Sequence, residues 1–126
     1  MPVQSMSRII SYCAARQADR VAIDHEGRAI TWGEFEERTN RLARAYSELG
    51  VQPDDFVTIA LPNGIEFFEA CFAVWKLGAT PQPISAKLPK SERDQIIDLG
   101  KPSLVVGAET GAFEQIVSVP QGFVPG

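Results

Sequence analysis

Phe56-Val-Thr-Ile-Ala-Leu61, then Pro62-Asn-Gly64, then Ile65-Glu-Phe-Phe-Glu-Ala-Cys-Phe-Ala-Val-Trp-Lys-Leu77, then Gly78-Ala-Thr-Pro-Gln-Pro-Ile84: in order, these read as a strand, a break, a helix and a second extended run. The first run is almost continuously apolar, as in a strand covered on both faces. Asn63 is placed to cap the helix, with Glu66 in its first turn. A third helix is expected from Leu88-Pro89 through Leu99, with Ile96, Ile97 and Leu99 as its apolar residues. Gly100 and Pro102 end it. Ser103-Leu-Val-Val-Gly107 is a last buried strand. A βαβαβ order with crossovers of this length favours parallel pairing and right-handed connections. The expected fold is therefore α/β, an open, mostly parallel sheet with helices on both faces.

Two features of this stretch bear on what surrounds it. Pro81 and Pro83 are two apart, so both missing amides fall on one side of their strand, which cannot offer a full ladder there. The helix 65–77 is apolar almost all round, with Glu66, Glu69 and Lys76 as its only charges. Such a helix must be buried on several sides. Cover from beyond the chain, or self-association through exposed apolar surface, is the corresponding expectation.

Upstream, residues 7–17 read as a helix, with Ile9, Ile10, Cys13 and Ala14 at helical spacing. Arg20-Val-Ala-Ile-Asp24 and Arg28-Ala-Ile-Thr31 flank His25-Glu-Gly27 as a β-hairpin. Thr31-Trp-Gly-Glu34 is a capping box that starts a helix. Phe35, Leu42, Tyr46 and Leu49 form that helix's apolar stripe. Glu34–Arg38 and Glu37–Arg41 are spaced as i,i+4 pairs on its wet side. Gly50 closes it. Downstream, 108–126 reads as an irregular tail containing one strand-like run, 115–119. The whole is one unit, 1–126, with a core over 20–107.

Composition narrows the class. The chain has 126 residues, 44% hydrophobic and 22% charged, as an ordinary globular domain does. Its net charge of −4 argues against nucleic acid as the main partner. No apolar run reaches the roughly eighteen residues of a membrane span. The start lacks a basic region followed by an apolar one, so no signal peptide is expected. Cys13 and Cys71 each sit among apolar residues and read as reduced core thiols of a cytoplasmic protein. His25, the only histidine, reads as a solvated turn residue. Neither a glycine-rich nucleotide loop nor a nucleophile elbow is present. No spacing suggests a metal site. No catalytic and no metal-ligating residue is assigned to this chain.

Three blocks resemble adenylate-forming (AMP-binding) enzymes. Ile30-Thr-Trp-Gly-Glu-Phe through Asn40-Arg-Leu-Ala43 to Leu49-Gly50 is similar to the family's opening motif. Asp55 to Leu61 followed by Asn63-Gly-Ile-Glu-Phe67 is similar to the next block. Trp75-Lys-Leu-Gly-Ala-Thr-Pro-Gln-Pro-Ile-Ser85 resembles the Lys-x-Gly-Ala-x-x-x-Pro block. The match runs from residue 1 to about 107 and looks closest to acyl-CoA synthetases, of the fatty, steroid or bile acid type. The resemblance implies a partial N-terminal domain of the adenylate-forming fold. It implies a whole enzyme that turns ATP and a carboxylic acid into an acyl-adenylate and then, with CoA, into a thioester, assisted by Mg2+. The family's phosphate loop, its Tyr-Gly-x-Thr-Glu block, its ribose-binding Asp and its catalytic Lys are not in this chain. The fragment is therefore expected to be inactive and to bind no cofactor itself. The resemblance also implies that the loop 85–89 and the helix after it border the CoA nucleotide. Lys87 and Arg93 are the candidate CoA-binding residues, because Arg suits phosphate through its fork of donors. The alternative is a stand-alone, non-catalytic α/β interaction or small-ligand module.

Overall fold

A computed structural model describes residues 3–107 and 117–119. It contains helix α1 (Val3–Gln17), strands β1 (Val21–His25) and β2 (Arg28–Thr31), α2 (Trp32–Glu48), β3 (Phe56–Ile59), α3 (Ile65–Lys76), β4 (Thr80–Pro83), α4 (Lys90–Gly100), β5 (Leu104–Val106) and β6 (Val117–Val119). β1 and β2 form the antiparallel hairpin read from the sequence. Its turn residues Glu26 and Gly27 both have positive φ, 52° and 80°, as a type I′ turn requires.

The remaining strands form one four-stranded sheet in the order β4-β3-β5-β6. All three pairings are parallel, with Phe56 opposite Thr80, Val57 opposite Leu104 and Leu104 opposite Val117. β6 falls inside the strand-like run 115–119, so the tail expected to be irregular carries one regular element. The rest of 108–126 lies outside the described residues.

Helices cover both faces, as expected. On one, α2 and α3 bury Leu42, Tyr46, Cys71 and Val74 against Val57, Ile59, Leu104 and Val106. On the other, Ile97 of α4 packs with Ala60 and Val105, and Ile84 closes the cluster. A third cluster joins Ile10 of α1 to Ile30, Phe35 and Ile65. The buried core therefore begins ahead of residue 20, in α1.

The apolar girdle of α3 is covered from within the chain. α3 packs on α1, α2, β3 and β4. Of its apolar side chains, only Phe68 stays largely exposed. An edge-to-face series of rings sews α2 to α3. Trp32 meets Phe35 at 6.3 Å, Phe35 meets Phe72 at 5.4 Å, and Phe72 meets Trp75 at 4.9 Å.

The capping box holds as read. The Glu34 amide donates to Thr31 Oγ1 at 3.2 Å, and the Thr31 amide donates to Glu34 Oε1 at 2.9 Å. Thr31→Ala removes one acceptor from the first turn and is expected to cost about 1 kcal/mol, read as a shift in the urea midpoint. An unchanged midpoint would show that the box contributes nothing.

Three local expectations are corrected. α3 is capped by Gly64 without a side-chain hydrogen bond, and Asn63, one residue ahead of the cap, is exposed. Leu49 is the C-cap of α2 and stands 37% exposed, outside the buried stripe. In α4 only Ile97 is buried, while Ile96 is 40% and Leu99 83% exposed. The helix phase explains this, since Arg93, Ile97 and Gly100 share one face at i, i+4 and i+7. α4 ends at Gly100 as read, and the left-handed residue after it is Lys101 at φ 46°; Gly100 has a different use. Its missing Cβ makes room for Gln82, whose Oε1 would sit 2.7 Å from that atom.

Candidate functional site

Ligands of open parallel sheets bind outside the carboxyl ends of the strands, where successive connections leave in opposite directions. Here β3 connects to β4 on one side, and β4 crosses back to β5 on the other. The reversal lies between β3 and β5. At that point Gly107, with φ +90°, lies so close to β3 that a Cβ would stand 2.7 Å from the Ala60 carbonyl oxygen. The loop 60–64 and the start of α3 form one wall of this end. His25, expected to be a solvated turn residue, is instead the half-buried last residue of β1, with its ring beside Gly64.

Lys87 and Arg93 lie at this same end of the sheet, on the connection that follows β4. Lys87 is exposed in the turn before α4, with its amide donating to Ser85 Oγ at 3.2 Å. Arg93 sits in α4 and is mostly covered, with 22% of its side chain exposed. Among the described residues its Nε is buried without a hydrogen-bond partner, and it lies 4.0 Å from Asp94 Oδ1. Asp94 itself pairs with Lys90 at 2.7 Å. One candidate cation is thus free in solvent, and the other is held beside a carboxylate with a donor to spare.

The polar groups that the sequence did not single out lie between the helices. Arg38 does not pair with Glu34. It reaches Glu69 of α3, with Nη2 donating to Oε1 at 3.1 Å and Nε 2.5 Å from Oε2 without the alignment of a hydrogen bond. The Glu69 side chain is only 3% exposed. Burial pushes its carboxyl above the ordinary range, and Arg38 opposes that rise. Beside it, Lys76 donates to Asn40 Oδ1 at 2.7 Å and to Glu36 Oε1 at 3.1 Å. Ser11 of α1 donates to the same Glu36 carboxylate. Arg28 of the hairpin pairs with Glu66, whose carboxyl is held low by that bond. Glu69, an acid set between Phe68 and Ala70 in a helix apolar almost all round, was the signal in the sequence that could have marked this network. Glu37–Arg41 forms as expected.

These groups tie α1, α2, α3 and the hairpin to one another. Burial pushes the Cys71 thiol up to about 11, which suits a core thiol and not a nucleophile. Among the described residues no three His, Cys, Asp or Glu converge as metal ligands, and no helix is long and apolar enough to cross a membrane. A hollow of about 510 Å³ lies elsewhere, lined by Arg16, Gln17, Ala18, Asp19 and Arg20 in the α1–β1 turn.

Residues 10–122 match the model of the AMP-binding enzyme family. The chain belongs to that family. The resemblance carried by the three blocks is thereby established, and the chain is a piece of the adenylate-forming AMP-binding domain. The isonitrile lipopeptide synthase of Streptomyces coeruleorubidus is 31% identical over 113 residues, 90% of this chain and 8% of that protein. The 3-oxocholest-4-en-26-oate–CoA ligase of Rhodococcus rhodochrous is 40% identical over 80 residues, 64% of this chain and 14% of that protein. The N-terminal subdomain of Klebsiella oxytoca NpsA, solved with 3-hydroxybenzoyl-AMSN, superposes with a TM-score of 0.80 at 20% identity. That superposition covers 90% of this chain and 29% of the NpsA chain and speaks for the fold. This AMP-binding chain therefore spans a small part of each relative.

Proposed function

We propose that these 126 residues are the N-terminal part of an ATP-dependent acyl-CoA synthetase. The whole enzyme would activate a carboxylic acid of the fatty, steroid or bile acid type through an acyl-adenylate and pass it to CoA. The observation that carries the reading is the 40% identity over 80 residues to the 3-oxocholest-4-en-26-oate–CoA ligase. In this reading ATP and CoA are the co-substrates, and Mg2+ offsets the phosphate charge. The chain supplies scaffold, and its share of the site is limited to the carboxyl end of β4.

The test uses the full natural polypeptide, ATP, CoA and a panel of fatty, steroid, aryl and amino acids. Thioester formation with a fatty or steroid acid is expected. Pyrophosphate exchange confined to amino acids, with no thioester, would overturn the acyl-CoA reading. The chain of 126 residues assayed alone is expected to exchange no pyrophosphate above the blank, because the catalytic motifs are not in it. Exchange above the blank would mean that a reaction centre exists here after all.

Lys87 and Arg93 carry the CoA part of the proposal. Both are cations at the ligand-binding end of the sheet, and Arg93 holds an unpartnered donor. In the full polypeptide, a Lys87→Ala, Arg93→Ala double variant is expected to raise the KM for CoA several-fold, while pyrophosphate exchange is kept. An unchanged KM would remove both residues from the site.

A further inference from the structure

Among the described residues β4 is the last strand on its side of the sheet, and its hydrogen bonds can be assigned one by one. The Thr80 amide donates to the Asp55 carbonyl, and the Ile84 amide donates to the Ile59 carbonyl, each at 2.9 Å. A strand turns alternate residues to opposite sides, so 80, 82 and 84 face β3, and 81 and 83 face outward. Both outward residues are proline and have no N–H. The next outward position upstream, Ala79, already donates its amide to the Val74 carbonyl at 3.2 Å. From Ala79 to Ile84 the outer edge therefore has carbonyl acceptors and no free donor.

We infer that this edge is a built-in stop. It refuses a further β-strand, including β4 of a second copy, so that among the described strands the sheet can be extended only past β6. A strand added to an edge needs alternating donors and acceptors from its host. Here an incoming strand would find no donor and would bury its own carbonyls unpaired against β4. Each orphaned carbonyl is costly. The inference concerns which edge can pair and is independent of the reaction proposed above.

The experiment compares the wild-type chain with Pro81→Val, Pro83→Val and the double variant, following thioflavin-T fluorescence and sedimentation over time. The double variant restores two outward donors. It is expected to form strand-paired, thioflavin-positive assemblies at least several-fold faster than wild type, with each single variant in between. A version made by chemical ligation with N-methylvaline at both positions isolates the N–H itself, since it keeps the valine side chain and lacks the donor. It is expected to behave as wild type. Valine variants that keep the helical circular dichroism of wild type and assemble no faster would overturn the inference. So would N-methylvaline protein that assembles as fast as the valine protein. If the double variant loses its fold, the two single variants decide by the same criterion.

Discussion

Arg38→Ala is expected to destabilise the chain by about 3 kcal/mol at neutral pH, near the lower end for breaking a buried ion pair. The lower end applies because Arg38 is 43% exposed, while its partner Glu69 is almost wholly covered. The loss comes less from the pair itself than from the carboxylate left without a counter-charge between α2 and α3. Glu69→Gln removes that charge, keeps an oxygen for the Arg38 guanidinium, and is expected to be neutral or mildly stabilising. The pH dependence separates the two. Burial raises the Glu69 carboxyl in the folded chain, so the folded state holds its proton at a pH where the unfolded state has released it. The resulting stabilisation is full below the ordinary carboxylate range and is lost as the pH rises through the folded value. Arg38→Ala raises the folded value further. Its deficit should therefore shrink when urea unfolding is repeated on the acid side of neutrality, and Glu69→Gln should flatten the profile. An Arg38→Ala chain as stable as wild type at neutral pH would mean that Glu69 is not held as described.

Gly107→Ala is the second large effect, also about 3 kcal/mol. A left-handed backbone costs a residue with a Cβ about 1–2 kcal/mol. At φ +90° the new methyl would also meet the Ala60 carbonyl oxygen at 2.7 Å and Leu61 Cδ2 at 2.8 Å. Backbone cannot swing aside as a long side chain can, and forced overpacking adds about 1–3 kcal/mol. Gly27→Ala provides the reference. It has a similar φ of +80° and nothing within 4 Å, so it should show the conformational cost alone. Equal urea midpoints for the two variants would refute the close approach of β5 to β3 at the reversal point.

What the sequence discloses is what local chemistry decides. The capping box is four residues long and carries its own geometry. The hairpin turn is marked by Glu26-Gly27, and the parallel order follows from short apolar runs joined by helices. The failures are of two kinds. In α4, three apolar residues fit a helix equally well on either side, and only packing against Val105 and Ala60 selects Ile97 and leaves Leu99 in solvent. At α3, Asn63 and Gly64 compete for one cap, and the extended backbone of Gly64 takes it. The Arg38–Glu69 pair was beyond reach for another reason. Its members are 31 residues apart and meet only because α2 and α3 pack side by side. Lys87 and Arg93 were reached through the family's pattern, and their placement at one end of the sheet follows from the chain direction of β4 and α4.

The aromatic series between α2 and α3 has an optical consequence. The chain has two tryptophans, and both belong to that series, Trp32 at its first ring and Trp75 at its last. Neither lies on a strand. Intrinsic fluorescence therefore watches chiefly the seam between two helices, whereas far-ultraviolet dichroism registers helices and strands together. If emission and dichroism trace one denaturation curve, the helical layer and the strands melt as a unit. If the emission moves to the red first, the seam opens while the strands are still paired, and the interval between the curves measures how far the helices stand on their own.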